Sequence, residues 1–150
     1  MRIEFINEDE FSIFLNSCYC KITNYSDKDE IIDVVKNVIS KYKNKFRLRG
    51  FYKIKVYPLD KVGLFVDGVQ LESLEKSGVV DLRIIVYFDE QFYFKTSDYY
   101  AIKDVSNIRY FNNNYYCLVS DIADINLVVD YGDFIRNDDM LEMLDKSITI

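Results

Sequence analysis

The chain has 150 residues, 49% hydrophobic and 29% charged, with a formal net charge of −6. That is the size of one ordinary domain, and the composition is far from the polar, highly charged range that stays unfolded. The complete absence of histidine excludes Ser-His and Cys-His nucleophiles and His-ligated metals.

Arg2 to Asn16 alternates loosely, with Ile3, Phe5, Ser12 and Phe14 on the pattern and Glu8-Asp9-Glu10 in the middle. It reads as a β-hairpin or two short strands. The clearest helix follows, with Ser26 as its cap, Asp29 near the capping-box position, and Asp27 and Glu30 at its positive end. Ile31, Val35, Val38, Tyr42 and Phe46 then recur at helical spacing and predict one buried face. Gly50 breaks the chain, and Phe51 to Tyr57 alternates as a half-buried strand that Pro58 is expected to stop. Leu59-Asp60-Lys61 makes a turn into a strand Val62 to Val66, and Asp67-Gly68 is a further turn before Val69 to Leu71.

The polar run from Glu72 to Ser77 is a loop or a single helical turn, and a boundary between halves is expected there. Leu82 to Phe88 is the next strand, Asp89-Glu90-Gln91 a turn, and Phe92 to Thr96 the returning strand. Ile108 to Phe111, the turn Asn112-Asn113-Asn114 and Tyr115 to Val119 form a second strong hairpin, because Asn tolerates positive φ. Ile125 to Val129 predicts one more strand, and Asp138 to Leu144 a short terminal helix capped by Asp138 or Asn137.

Little in this sequence points to catalysis. The five glycines are scattered, and neither a dinucleotide fingerprint nor a phosphate-cradling loop can be drawn through them. Cys18, Cys20 and Cys117 are too few and too unevenly spaced for a disulfide framework. Cys18 and Cys20 in a strand would point to the same side, yet zinc needs four ligands, so all three read as core thiols. The carboxylate clusters lack the spacing of a calcium loop and are expected to cap helices or face solvent. No apolar run approaches the roughly 18–20 residues of a bilayer span, and the opening residues lack signal-peptide order, so a cytoplasmic protein without membrane contact is expected.

Charge is the informative feature. Lys36 to Lys61 holds nine basic residues (Lys36, Lys41, Lys43, Lys45, Arg47, Arg49, Lys53, Lys55 and Lys61) against one acid, Asp60, within an otherwise strongly acidic chain. This stripe suits an acidic patch on another protein; its bland alternative is a solvated helix tail complementing the helix dipole. Tyr42, Phe46, Phe51, Tyr52 and Tyr57 interleave with these cations, the pattern that base stacking on single-stranded nucleic acid also requires. The pairs Tyr99-Tyr100 and Tyr115-Tyr116 would put one ring on each sheet face, exposing some of them as interface candidates.

The opening MRIEFINEDEFSIFL, the helix from Asp27 to Phe46 and the segment KVYPLDKVGLFVDGVQLESLE resemble the N-terminal part of MecA-type adaptor proteins of Firmicutes, over about half of the chain. IRYFNNNYYCLVS is similar to that family's C-terminal hairpin, whereas its long acidic linker and full C-terminal helix have no counterpart here. The resemblance implies substrate delivery to a Clp-type unfoldase by binding, without catalysis. It assigns no binding residues.

The expectation is one α+β domain over 1–150, with a sub-boundary near 72–78, in which an antiparallel sheet carries one major helix packed on a face and a short C-terminal helix. It is expected to be a non-enzymatic regulatory or adaptor-type protein, with no cofactor and no metal. Another protein bearing an acidic patch would be bound through Lys43, Lys45, Arg47, Lys53, Lys55, Tyr52 and Tyr115. A nucleic-acid module using 36–61 ranks lower, as does a small acidic phage-type inhibitor of a nucleic-acid enzyme.

Overall fold

The computed structural model describes residues 2–72, 80–121 and 132–150. The expected strand Ile125 to Val129, and the run after Glu72, lie outside the described residues. The chain divides into two compact units, Met1–Asp89 and Glu90–Ile150. The fold is α+β, with ten strands among the described residues forming two mainly antiparallel five-stranded sheets.

In the first unit, β1 (Arg2–Phe5) and β2 (Glu10–Asn16) form the expected hairpin, followed by a short helix α1 (Ser17–Cys20) and the major helix α2 (Lys28–Tyr42). The cap of α2 is Asp27 rather than Ser26: its carboxylate accepts from the N–H groups of Asp29 and Glu30 at 3.1 and 3.2 Å. Asp27 thereby holds two donors that a helix start leaves unpaired, while Glu30 reaches back to the N–H and hydroxyl of Thr23 in the preceding loop. β3 (Gly50–Leu59), β4 (Gly63–Glu72) and β5 (Val80–Val86) complete the sheet in the order β1-β2-β4-β3-β5, with β5 parallel to β3.

Ile31, Val35, Val38 and Ile39 of α2 are buried against Phe11, Ile13 and Leu15 of β2, Tyr52, Ile54 and Val56 of β3, and Leu64 and Val66 of β4. Each such aliphatic side chain contributes about 1.5–3 kcal/mol by leaving water. The opposite face carries an aromatic row in register, Phe14, Phe65 and Tyr57, with Tyr57 stacked on Tyr87 at 5.4 Å.

Two strand boundaries correct the sequence reading. β3 runs through Pro58, because Tyr87 donates to the Val56 carbonyl at 2.8 Å; alternation then turns the missing Pro58 donor toward the side where β5 has ended, leaving the β4 ladder intact. β4 is one strand, not two: Asp67 accepts from the Ser12 hydroxyl at 2.9 Å, and Gly68 lies in register between Phe11 and Ile54. Its missing side chain makes room for the Phe11 ring, which a Cβ at 68 would strike. The expected turn at Leu59-Asp60-Lys61 does form, between Leu59 and Gly63, where Lys61 has φ 63° and Gly63 has φ 150°.

The second unit contains β6 (Phe92–Thr96), β7 (Arg109–Phe111), β8 (Asn114–Leu118), β9 (Asp133–Arg136), helix α3 (Leu141–Lys146) and β10 (Ile148–Thr149), with strand order β10-β7-β8-β6-β9. β6 pairs with β8 and β9, not with β5 as a returning strand would. The Asn hairpin is as expected, with Asn112 and Asn113 at φ 51° and 67°. Met143 of α3 packs on Tyr93 and Tyr116, and Arg109 ties β7 to the helix end through the Leu144 carbonyl and the Ser147 hydroxyl. A 3-10 turn, Asn137–Met140, leads into α3, whose start has no side-chain cap.

Candidate functional site

Three of the seven expected binding residues, Lys43, Lys45 and Arg47, lie at the C-terminal end of α2. There the chain continues past Tyr42 for one more turn, the Phe46 N–H donating to the Tyr42 carbonyl at 3.1 Å, and reverses at Arg47, which takes a left-handed φ of 55°. This geometry sets Phe46 one turn beyond Tyr42, with ring centroids 6.0 Å apart. Phe46 meets Phe5 of β1 at 5.7 Å, Phe5 meets Phe11 at 6.3 Å, and Phe11 meets Tyr52 edge-on at 5.7 Å. A run of five rings thus leads from the surface into the core: Phe5 is 49% exposed, whereas Phe11 and Tyr52 are buried. Ile6, at the tip of the β1–β2 hairpin, is also exposed.

Cations lie over the outer rings. The Lys41 ammonium sits 5.4 Å from the Tyr42 centroid and that of Lys45 5.6 Å from Phe46, a cation–π geometry worth about 0.5–1 kcal/mol at exposed sites. The Tyr19 hydroxyl donates to that of Tyr42 at 3.2 Å. Donating raises the Tyr19 pKa to about 12, helped by burial; Tyr42 is lowered, first by accepting this bond and then, against some desolvation, by Lys41 and Lys45. The pair holds α1 against the end of α2, so the rings are presented on a braced surface.

The sequence-level stripe is not one surface. Lys45 and Arg47 are exposed and Lys43 half-buried around the helix end. Lys53 and Lys55 alternate with Tyr52, Ile54 and Val56, and these buried residues face α2, so the two lysines project from the opposite face of the sheet. There Lys55 lies in register with Asp67, and Lys53 with Arg83. Tyr52 is a core residue, 4% exposed, with its hydroxyl accepting from the Arg49 N–H; it backs the surface from within rather than contacting a partner. Tyr115 belongs to the second unit, half-buried between the rings of Tyr99 and Tyr110, each at 5.2 Å. Tyr99 and Tyr100 stand in a 3-10 turn, not a strand.

Of the three expected core thiols, Cys20 and Cys117 are buried and Cys18 is not. Cys18 and Cys20 lie in α1 instead of a strand, so they point apart: Cys18 is exposed and Cys20 buried, with its sulfur 3.7 Å from the Tyr25 hydroxyl. Burial, with a smaller push from Asp121, raises the Cys117 thiol to about 12. Phe5 and Ile6 are exposed surface residues outside the set expected from the sequence; the available signal is their place at the end of the hairpin, next to the polar run Asn7-Glu8-Asp9-Glu10. No helix among the described residues is long and apolar enough to cross a membrane. No protein-family model, curated protein or solved structure matches the chain.

Proposed function

We propose that this chain is a non-catalytic, protein-binding regulatory or adaptor-type protein that docks its partner on the ring cluster at the end of α2. The observation that carries this reading is the run Tyr42, Phe46, Phe5, half-exposed at one end and anchored on buried Phe11 and Tyr52 at the other. Rings already held by their neighbours lose little freedom on binding, and aromatic anchors backed by a core dominate interface energies. Lys45 and Arg47 at the rim favour a partner with an acidic patch, chiefly by raising the association rate. An adaptor role, which the resemblance to MecA-type proteins implies, is the form of this function in which the partner is an unfoldase.

A photo-crosslinking benzoylphenylalanine at position 46, with a control at exposed Asp33, tests the proposal in cells. A discrete protein adduct from position 46 alone, lost with Lys45→Glu plus Arg47→Glu, is expected. A nucleic-acid adduct, or equal adducts from both positions, would overturn it.

A further inference from the structure

We infer that the outer edge of β5, with the groove it shares with α2, takes an extended acidic peptide as an added strand. The inference rests on the protein-binding reading for its class of partner but uses a different surface.

β5 is the last strand of its sheet, and among the described residues nothing pairs with its outer side. Its register with β3 matches Val86 to Val56, and the Tyr87 N–H bonds the Val56 carbonyl. Since backbone groups of alternate residues point to opposite sides of a parallel strand, Arg83, Ile85 and Tyr87 serve β3, while Leu82, Ile84 and Val86 aim theirs outward. An unpaired edge of this kind is a template for another strand. The side chains of these same three residues are only partly buried against the core, so an added strand would cover apolar surface as well as backbone.

Beside this edge lies a groove of about 340 Å³, lined by Lys36, Ile39, Ser40 and Lys43 of the helix side and by Val80, Asp81 and Leu82. Neither lysine has an ion-pair partner among the described residues, and together they outnumber the one acid, Asp81. Lys36 and Lys43 are two helical turns apart, about 10.5 Å. In an extended peptide, side chains four residues apart face the same way at about 13 Å, with one further side chain midway between them. Two carboxylates at that spacing, reached by the flexible lysine stems, would leave an apolar side chain over Ile39 and Leu82. This complementarity selects an acidic extended segment over a basic one.

The probe is a labelled peptide with Glu, Leu and Glu at alternate positions and Thr between them, titrated by fluorescence polarisation. Saturable binding is expected, weakened on the order of tenfold by Lys36→Glu plus Lys43→Glu and abolished when the peptide backbone is N-methylated on the edge facing β5. Amide exchange supplies the second readout: the probe should slow the Leu82, Ile84 and Val86 amides and leave Arg83 and Ile85 unchanged. Binding that survives N-methylation, equal binding of the Lys-for-Glu peptide, or no saturable binding would overturn the inference. So would protection of the three outward amides in the free protein that grows with its concentration, which would assign the edge to a second copy of the chain. Crosslinking from position 46 reads the other surface, so either result can fail while the other stands.

Discussion

Gly68→Ala should destabilise the protein, although alanine is ordinarily the better residue in a strand. Gly68 does not have a positive φ, so the cost comes from the Phe11 ring alone, which occupies the place of the missing Cβ. That ring is 2% exposed and lies between Phe5 and Tyr52, so it can give way only by pushing on its neighbours. Overpacking of this kind costs about 1–3 kcal/mol, set against about 0.4–1 kcal/mol gained by stiffening the unfolded chain. The net expectation is about 1–2 kcal/mol, read as a lower urea midpoint by circular dichroism. Phe11→Ala alone should cost about 3–5 kcal/mol, and in that background Gly68→Ala should become neutral or stabilising. Displacing Phe11 also displaces Phe5 from Phe46, so Gly68→Ala should weaken crosslinking from position 46. An equal cost of Gly68→Ala in both backgrounds would refute the ring-over-glycine account.

Val35→Asp, placing a carboxylate at a site 1% exposed on the buried face of α2, should cost several kcal/mol, about 3 or more, whereas Asp33→Ala on the exposed face should stay within about 0.5 kcal/mol; thermal melts of both compare them. Ellman's reagent at neutral pH should modify exposed Cys18 in the folded protein and reach buried Cys20 and Cys117 only after denaturation. Stability should also fall on the alkaline side. Folding raises the Cys117 thiol from 9.0 to about 12 and Tyr19 from 10.0 to about 12, so both hold protons that the unfolded chain releases. Their contribution is whole below pH 9.0 and drains away as pH climbs through the folded values. Cys117→Ala should flatten that decline in urea titrations taken at successive pH values, and an unchanged slope would contradict it.

Residues whose structure is set by near neighbours were legible. The helical face Ile31, Val35 and Val38 and the Asn112-Asn113 hairpin stand where their spacing and φ tolerance put them. Failures occurred where a distant partner decides. Asp67-Gly68 is a strong local turn signal, but Phe11, more than fifty positions away in sequence, fills the glycine's space and keeps the strand straight. Pro58 stops a ladder only on one side, and which side depends on the neighbouring strands. Chain order favours pairing β6 with β5, and nothing within Phe92–Thr96 records that its partners are β8 and β9. At the candidate site, Lys45 and Arg47 were visible as a charge run, whereas burial of Tyr52 and the reversed direction of Lys53 and Lys55 follow from the face that α2 covers.

That division of the basic segment bears on what kind of partner fits. Counterion release scales with the number of phosphates neutralised, about 0.7–0.9 in log–log slope for each. Read as a continuous stripe, the segment offers nine cations; read on the fold, Lys41, Lys45 and Arg47 lie at the helix end, Lys36 and Lys43 line the groove beside β5, and Lys53 and Lys55 face away, one of them in register with Asp67. About three contacts give a slope of only about 2–3, a weak drive on a chain whose net charge is −6 and repels a polyanion. Lys41 and Lys45 already lie over the faces of Tyr42 and Phe46, the faces a base would need for stacking. A protein surface has neither requirement: it can seat against ring edges, takes most of its binding energy from salt-insensitive apolar contact, and uses a few rim cations for steering. The geometry that weakens the nucleic-acid reading therefore strengthens the protein one.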